Sequence, residues 1–450
     1  MNARGAQGGG IAALALRLLS GLASLPVMVA IASASAPARG DTLPGTVLSR
    51  PIDPATPDAD KVRRGQYLVA VGDCMSCHLR PGGEPLAGGL GLKTPFGVIY
   101  SSNITSDRAT GVGDWSDEQF YRAMHDGRSA DGENLYPAFP YPWFHLASRD
   151  DDDAILAFLK TTPAARYTPP QNGLHFPMDI RATVKVWNLL YLDSNDFRPD
   201  PGQSAQWNRG AYLVNGLGHC GGCHTPKNGL GADQSTHRFE GGKLDNWVAP
   251  DLTSNERTGL GTWGVEDIAE YLQNGRNGRA AAGGAMADVI TYSTSLMTDA
   301  DRHAIAAYLK SRIASPDPSA DEPNAASMQR GAAVYSDACA SCHLENGVGQ
   351  PRYFPPLGHN ALVQQSDSAS LQHMILAGSR IGTSAERPTP LTMPSFAWKL
   401  TDAEIADVAT YVRNSWGNRA SPVAENAVAD MRKRLDLDRL HFTVNSGDQN

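Results

Sequence analysis

The chain has 450 residues, a hydrophobic share of 41% and a formal net charge of -8. That length exceeds what one hydrophobic core organises, so two or three domains are expected. The acidic balance argues against a nucleic-acid partner, which needs a basic face.

The first residues, "MNARGAQGGGIAALALRLLSGLASLPVMVAIASASAPARG", read as a secretory signal. Arg4 opens it, an apolar stretch broken by Arg17 follows, and Ala34-Ser35-Ala36 supplies a cleavage site, giving a signal peptide over 1–36. An uncleaved anchor is the alternative, because Leu18 to Ala38 carries no charge and is long enough to span a bilayer. Its Ser, Ala, Gly and Pro content favours cleavage. No later segment is long and apolar enough to span a membrane, so an exported protein, soluble or peripheral, is expected.

Past the leader, one unit occurs three times. "RGQYLVAVGDCMSCH" begins at Arg64, "RGAYLVNGLGHCGGCH" at Arg209 and "RGAAVYSDACASCH" at Arg330. Each reads as a short opening helix running into a Cys-x-x-Cys-His motif. The glycine after each arginine (Gly65, Gly210, Gly331) would weaken a helix, so its recurrence predicts a second helix crossing closely there. The first unit continues through "NITSDRATGVGDW" into a middle helix, "SDEQFYRAMHDGR", where Ser116 and Gln119 form a capping box. The second matches it without a gap through "DLTSNERTGLGTW" and "GVEDIAEYLQNGR". Closing helices are predicted after the N-caps Ser148, Thr298 and Thr401, each followed three residues later by Asp151, Asp301 or Glu404. Phe158, Tyr308 and Tyr411 take comparable places on their apolar faces.

The expected fold is all-α, three tandem domains at 58–163, 204–314 and 325–416, with long Gly- and Pro-rich loops. Between the first two, a helical stretch is predicted near Val184 to Leu192. A tail at 417–450 holds an amphipathic helix with Val428, Met431, Leu435 and Leu440, which rests on a membrane, on a partner or, as most such helices do, on its own protein.

The six cysteines are Cys74, Cys77, Cys220, Cys223, Cys339 and Cys342, every one in a pair followed at once by His78, His224 or His343. This is the pattern of c-type haem attachment. Residues three apart on a helical turn share a side, so both thiols reach the two vinyl groups of one porphyrin, and the histidine falls under the iron. Zinc is the weaker alternative, since each motif supplies three ligands and a structural zinc takes four. A thioredoxin-like dithiol needs a βαβ context that is missing here. Three covalently bound haem c groups are therefore expected.

A methionine in the second axial position stabilises Fe(II). Met393, in "TPLTMPSF", lies 50 residues after His343, and Met286, in "AAAGGAMADVI", lies 62 after His224, each just before the closing helix. In the first unit the matching place is Phe139, which cannot ligate iron. Met124 on the middle helix, aligned with Leu272 and Ile375, is one candidate there, with a core residue as the equal alternative. Met178, His125 and His145 are weaker candidates, and an open site is a further possibility.

With these motifs, and with "NITSDRATGVGDW", "DGENLYPAFPYPWF", "WNRGAYLVNGLGHCGGCHTPKN" and "TMPSF", the chain resembles the triple-haem cytochrome c subunits of membrane-associated bacterial dehydrogenases of the alcohol, aldehyde and gluconate type. The segment at Phe139 in that family commonly carries a ligating methionine, "YPAMPY". Variants with Phe there and "AM" in the middle helix look like cytochromes fused or paired with molybdenum hydroxylases. The resemblance implies an electron-transfer subunit without substrate chemistry of its own. It implies a quinoprotein, flavoprotein or molybdenum dehydrogenase as catalytic partner, and ubiquinone or a terminal oxidase as acceptor. It further implies a periplasmic place, attached peripherally to the outer face of the cytoplasmic membrane. The competing readings are a peroxidase-like enzyme using an open first haem and a free periplasmic shuttle.

Overall fold

The computed structural model describes residues 45–193 and 195–437. The expected signal segment and Leu440 lie outside them. The fold is mainly helical, as expected, with three small antiparallel sheets added. The opening helices are Ala59–Val71, Ala205–Asn215 and Ala325–Ala338. The closing helices are Arg149–Leu159, Asp299–Lys310 and Asp402–Arg413. Each opening helix packs against the closing helix of its own unit.

The recurring glycines make this crossing possible. A Cβ on Gly65 would stand 1.8 Å from the Ala154 carbonyl oxygen, one on Gly210 1.9 Å from that of Ala304, and one on Gly331 2.2 Å from that of Asp407. The Cβ atoms of Phe158, Tyr308 and Tyr411 close in from the next turn at 2.9, 2.8 and 2.7 Å. No side chain fits in that space, so the helix propensity lost at glycine is offset by backbone-to-backbone approach.

The middle helices are Asp117–Asp126, Val265–Asn274 and Ala369–Ala377. Ser116 and Gln119 form the expected capping box, with Gln119 N–H donating to Ser116 Oγ at 3.2 Å and Ser116 N–H to Gln119 Oε1 at 2.8 Å. Gly127 and Gly275 end the first two middle helices in the left-handed region, where glycine costs nothing. The closing helices are capped by Ser148, Thr298 and Thr401 as predicted. The boxes differ, however. Glu404 returns to the Thr401 N–H at 2.8 Å, completing a box within the third unit. The N–H groups of Ser148 and Thr298 are satisfied from elsewhere, by Tyr212 and Tyr67.

The strands were not anticipated. Gly91–Thr94 pairs with Gly97–Tyr100, and Gly173–Leu174 extends that hairpin. Gly242–Leu244 pairs with Trp247–Ala249, and Ser379–Arg380 with Thr392–Met393. The linker helix lies at Thr183–Tyr191, one residue from the predicted start. The tail helix, Glu425–Arg434, buries Val428 and Met431 completely in the molecule's own core.

Two apolar cores result. One runs from Val47 to Leu309 and includes Leu68, Val69, Trp143, Phe158, Leu213, Leu217 and Tyr308, so it belongs to the first two units jointly. The other, with Tyr335, Leu376, Ile405, Val412 and Met431, belongs to the third unit and the tail.

Candidate haem sites

Each Cys-x-x-Cys-His motif forms a turn of helix directly after its opening helix: Cys74–His78, Gly221–His224 behind Cys220, and Ala340–His343 behind Cys339. The six cysteines are half-buried, and Cys74, Cys220 and Cys339 pack against the two cores. Burial pushes the thiol pKa up to about 12 at Cys74 and Cys220 and to about 11 at Cys339. At Cys77 burial, then Asp73, then the Cys223 thiol of the second motif hold it up at about 12. Thiols held neutral in this way are poor material for dithiol exchange, which uses the thiolate. Among the described residues no three His, Cys, Asp or Glu side chains are grouped to hold a metal ion.

The histidines share one arrangement. The Nδ1–H of His78 donates to the Ser102 carbonyl at 2.6 Å, that of His224 to Pro250 at 2.6 Å and that of His343 to Pro355 at 3.0 Å. A carbonyl oxygen only accepts, so Nδ1 carries the proton and Nε2 keeps its lone pair free for a metal. Burial lowers the pKa of all three rings, which favours the same neutral form. Such an oriented imidazole is the usual support of a metal-ligating histidine.

The carbonyls explain the segment shared by the first two units. Ser102 and Pro250 immediately precede "NITS" and "DLTS". Those segments are pinned behind the closing helix, with Asn103 Nδ2 donating to the Ala165 carbonyl at 2.6 Å and Asn255 Nδ2 to the Ser315 carbonyl at 2.9 Å. Sequence reasoning found the segment but not its task. A backbone acceptor leaves no residue-type signature, and only the gapless match pointed to it.

Met286 stands near the start of helix Ala285–Tyr292, half-buried against the first core. Met393 is half-buried in its short strand, on the core that also borders Cys339. Met124 is 5% exposed in the first core, which Cys74 and Phe139 border, and its counterparts Leu272 and Ile375 are buried in the same way. Phe139 fills the loop position, with its ring 5.5 Å from Phe144 and 6.4 Å from Tyr141. His125 is engaged elsewhere: Nε2 lies 2.9 Å from Asp152 Oδ2 and the ring stacks on Tyr121 at 3.9 Å. His145 is 6% exposed and neither ring nitrogen has a hydrogen-bond partner. Met178 is half-buried in the linker, which the first core does not include.

One further group went unnoticed in the sequence. Arg276, directly after the Gly275 cap, is 7% exposed with Nε and Nη1 unpartnered. Burial and then Arg387 lower its pKa. The residues thus fit haem c: paired neutral thiols, an imidazole with Nε2 free, and apolar walls.

This donor set defines a c-type cytochrome, and the comparisons agree. The model of the family described as cytochrome c matches residues 208–312 and 328–416. The cytochrome c subunit of a quinone-type alcohol dehydrogenase from Gluconacetobacter polyoxogenes is 38% identical, over 88% of this chain and 87% of its own. That of a gluconate 2-dehydrogenase from Pantoea cypripedii is 37% identical over 83% and 89%. A nicotinate dehydrogenase subunit from Pseudomonas putida is also 37% identical, over 83% of this chain but 33% of its own. The chain belongs to the cytochrome c family, among the cytochrome c subunits of dehydrogenases. That membership implies covalently bound haem c and electron transfer from a dehydrogenase.

Proposed function

We propose that the protein is a triple-haem electron relay built from three cytochrome c domains, at 58–163, 204–314 and 325–416. The observation that carries this reading is the threefold repetition of one donor set: two thiols, and an imidazole whose Nδ1–H is spent on a carbonyl. Haem c supplies reversible one-electron chemistry at iron. The chain's part is to attach it through Cys74 and Cys77, Cys220 and Cys223, and Cys339 and Cys342, and to ligate it through His78, His224 and His343. Met286 and Met393 would complete the iron's ligand set in the later domains, and Met124 would do so in the first, where Phe139 stands at the loop position. Arg276 offers its unpartnered N–H groups to a haem carboxylate.

The partner in this reading is a dehydrogenase catalytic subunit (a quinoprotein, flavoprotein or molybdenum enzyme), and the acceptor is ubiquinone or a terminal oxidase. The protein works in the periplasm, exported by its cleaved leader and held peripherally at the outer face of the cytoplasmic membrane. Among the described residues no helix is long and apolar enough to cross a membrane. A pyridine haemochrome assay tests the relay, with about three haems per chain expected, and purification from native membranes should bring a dehydrogenase along. A count other than three overturns the reading. Phe139 motivates the peroxidase-like alternative, which requires carbon monoxide to bind one reduced haem in the native protein and in Met124→Leu equally. The relay reading expects binding in Met124→Leu alone.

A further inference from the structure

The first two units hold each other through a contact that the third lacks. The Tyr67 hydroxyl, from the first opening helix, donates to Asp301 Oδ2 of the second unit at 2.5 Å and accepts from the Thr298 N–H at 3.2 Å. The Tyr212 hydroxyl, from the second opening helix, donates to Asp151 Oδ2 of the first unit at 2.5 Å and accepts from the Ser148 N–H at 2.9 Å. Each tyrosine therefore completes the capping of the other unit's closing helix, taking an N–H that the helix itself leaves unsatisfied. Each aspartate is also held by its own arginine, Arg209 on Asp301 at 2.8 Å and Arg64 on Asp151 at 2.8 Å. Tyr67 and Tyr212 both stand three residues after that arginine. The contact is thus reciprocal, one arm from each side.

The segments around the two attachment turns also meet across this joint. Trp143 of the first unit covers Gly221, inside the second motif, where a Cβ would stand 2.0 Å from the indole. Leu217, just before that motif, lies 4.0 Å from where a Cβ on Gly72, just before the first motif, would be. Ser293 Oγ donates to the Val71 carbonyl at 3.3 Å, and Phe144 meets His219 edge-on at 5.2 Å. All of this is packed on one shared core. The third unit carries Ala333 at the tyrosine position and holds its Asp407 from within, through Ser327 at 2.6 Å and Arg330 at 2.5 Å.

We propose that Tyr67 and Tyr212 are positioning residues that lock the first two attachment turns together, making those two units one electron-exchange pair. The inference rests on the three-haem reading above. Electron tunnelling falls steeply with separation, so a fixed and short approach sets the rate, and the exchange moves one electron with no bond made or broken. Dimensions are held by four hydrogen bonds to two carboxylate-anchored helix ends, which a slide of one unit on the other would break together.

The test is circular dichroism in the Soret band on the full, haem-loaded chain, where two closely fixed haems give a two-signed couplet. Haem content is measured first. A count other than three defeats the relay reading, and a count of three with no couplet defeats this inference alone. The variant Tyr67→Phe/Tyr212→Phe is expected to keep its haems and lose half or more of the couplet. Tyr308→Phe, whose hydroxyl accepts from Asn215 at 2.8 Å inside the second unit, is expected to keep it. Should the double variant fail to load haem, Tyr67→Phe and Tyr212→Phe singly decide, each with a reduced couplet. An unchanged couplet in a loaded double variant, or in both singles, overturns the proposal.

Discussion

The two joints of this chain are built differently from the same repeated unit. The first unit meets the second through a shared apolar core, a tryptophan seated on a glycine, and two reciprocal tyrosine arms. The second meets the third through a polar seam. Ser370 Oγ accepts from the Val248 N–H at 2.7 Å and donates to its carbonyl at 3.0 Å, Gln365 donates to the Thr258 carbonyl at 2.7 Å, and Lys243 pairs with Asp367 at 2.7 Å. His373 stacks on Trp247 at 3.9 Å. A core shared by two units makes them fold as one body, whereas a hydrogen-bonded seam joins bodies already folded. The glycine crossings break this comparison most sharply. Gly210→Val places side-chain atoms inside the Ala304 carbonyl, a change worth more than about 4 kcal/mol. On the three-haem proposal, it should cost the haems of both the first and second units. Gly331→Val commits the same offence in the third unit and should cost one. A haemochrome count per chain on the two variants reads the difference directly.

A smaller change opens the first joint without touching a helix crossing. Trp143 is buried against Gly221, with the Arg238 guanidinium 4.8 Å from its ring. Trp143→Ala removes the knob and leaves a cavity in the shared core, costing about 3–5 kcal/mol. Thermal unfolding should then show an early transition covering the first two units and an unmoved one for the third. A single transition shifted as a whole would mean that the polar seam couples the third unit as tightly as the shared core couples the others.

Much of this contrast was written in the sequence, though not all of it was readable. Gly65, Gly210 and Gly331 announced close crossings because a glycine in a helix needs a reason, and the N-caps at Ser148, Thr298 and Thr401 fell where side-chain type predicts. The strands were missed because pairs as short as Gly242–Leu244 and Trp247–Ala249 leave no alternating run to detect. The three histidines stood out as candidate ligands, but the groups that orient them did not, since Ser102, Pro250 and Pro355 act through main-chain oxygens. The clasp had a visible signal, "RGQY" and "RGAY" against "RGAA". A tyrosine inside an apolar run reads as core, and only the fold shows its hydroxyl leaving that core for another unit's helix end. The capping boxes expected at Asp151 and Asp301 failed for the same reason: a partner from outside the unit offered the N–H a better-placed oxygen.

Acid should loosen the polar seam through His373. Burial lowers the pKa of His373, only partly offset by its hydrogen bond to the Asn246 carbonyl and by the Asp245 carboxylate. A histidine with a depressed folded pKa contributes stability that is complete above its ordinary value of 6.5 and is lost as pH falls through the lowered one. The stack on Trp247 contributes about 1 kcal/mol, so the seam weakens without parting. The first joint has its own buried histidine, His219, and acid alone therefore does not tell the joints apart. His373→Phe does, because it keeps a ring over Trp247 and removes the titrating nitrogen. Hydrogen exchange of Ala369–Ala377 and Trp247–Ala249 should quicken on going from neutral to mildly acid pH in the native chain. Once the intrinsic pH dependence of exchange is subtracted, it should stay level in the variant. Equal quickening in both would place the acid-sensitive group outside the seam and leave the two joints alike in their response to pH.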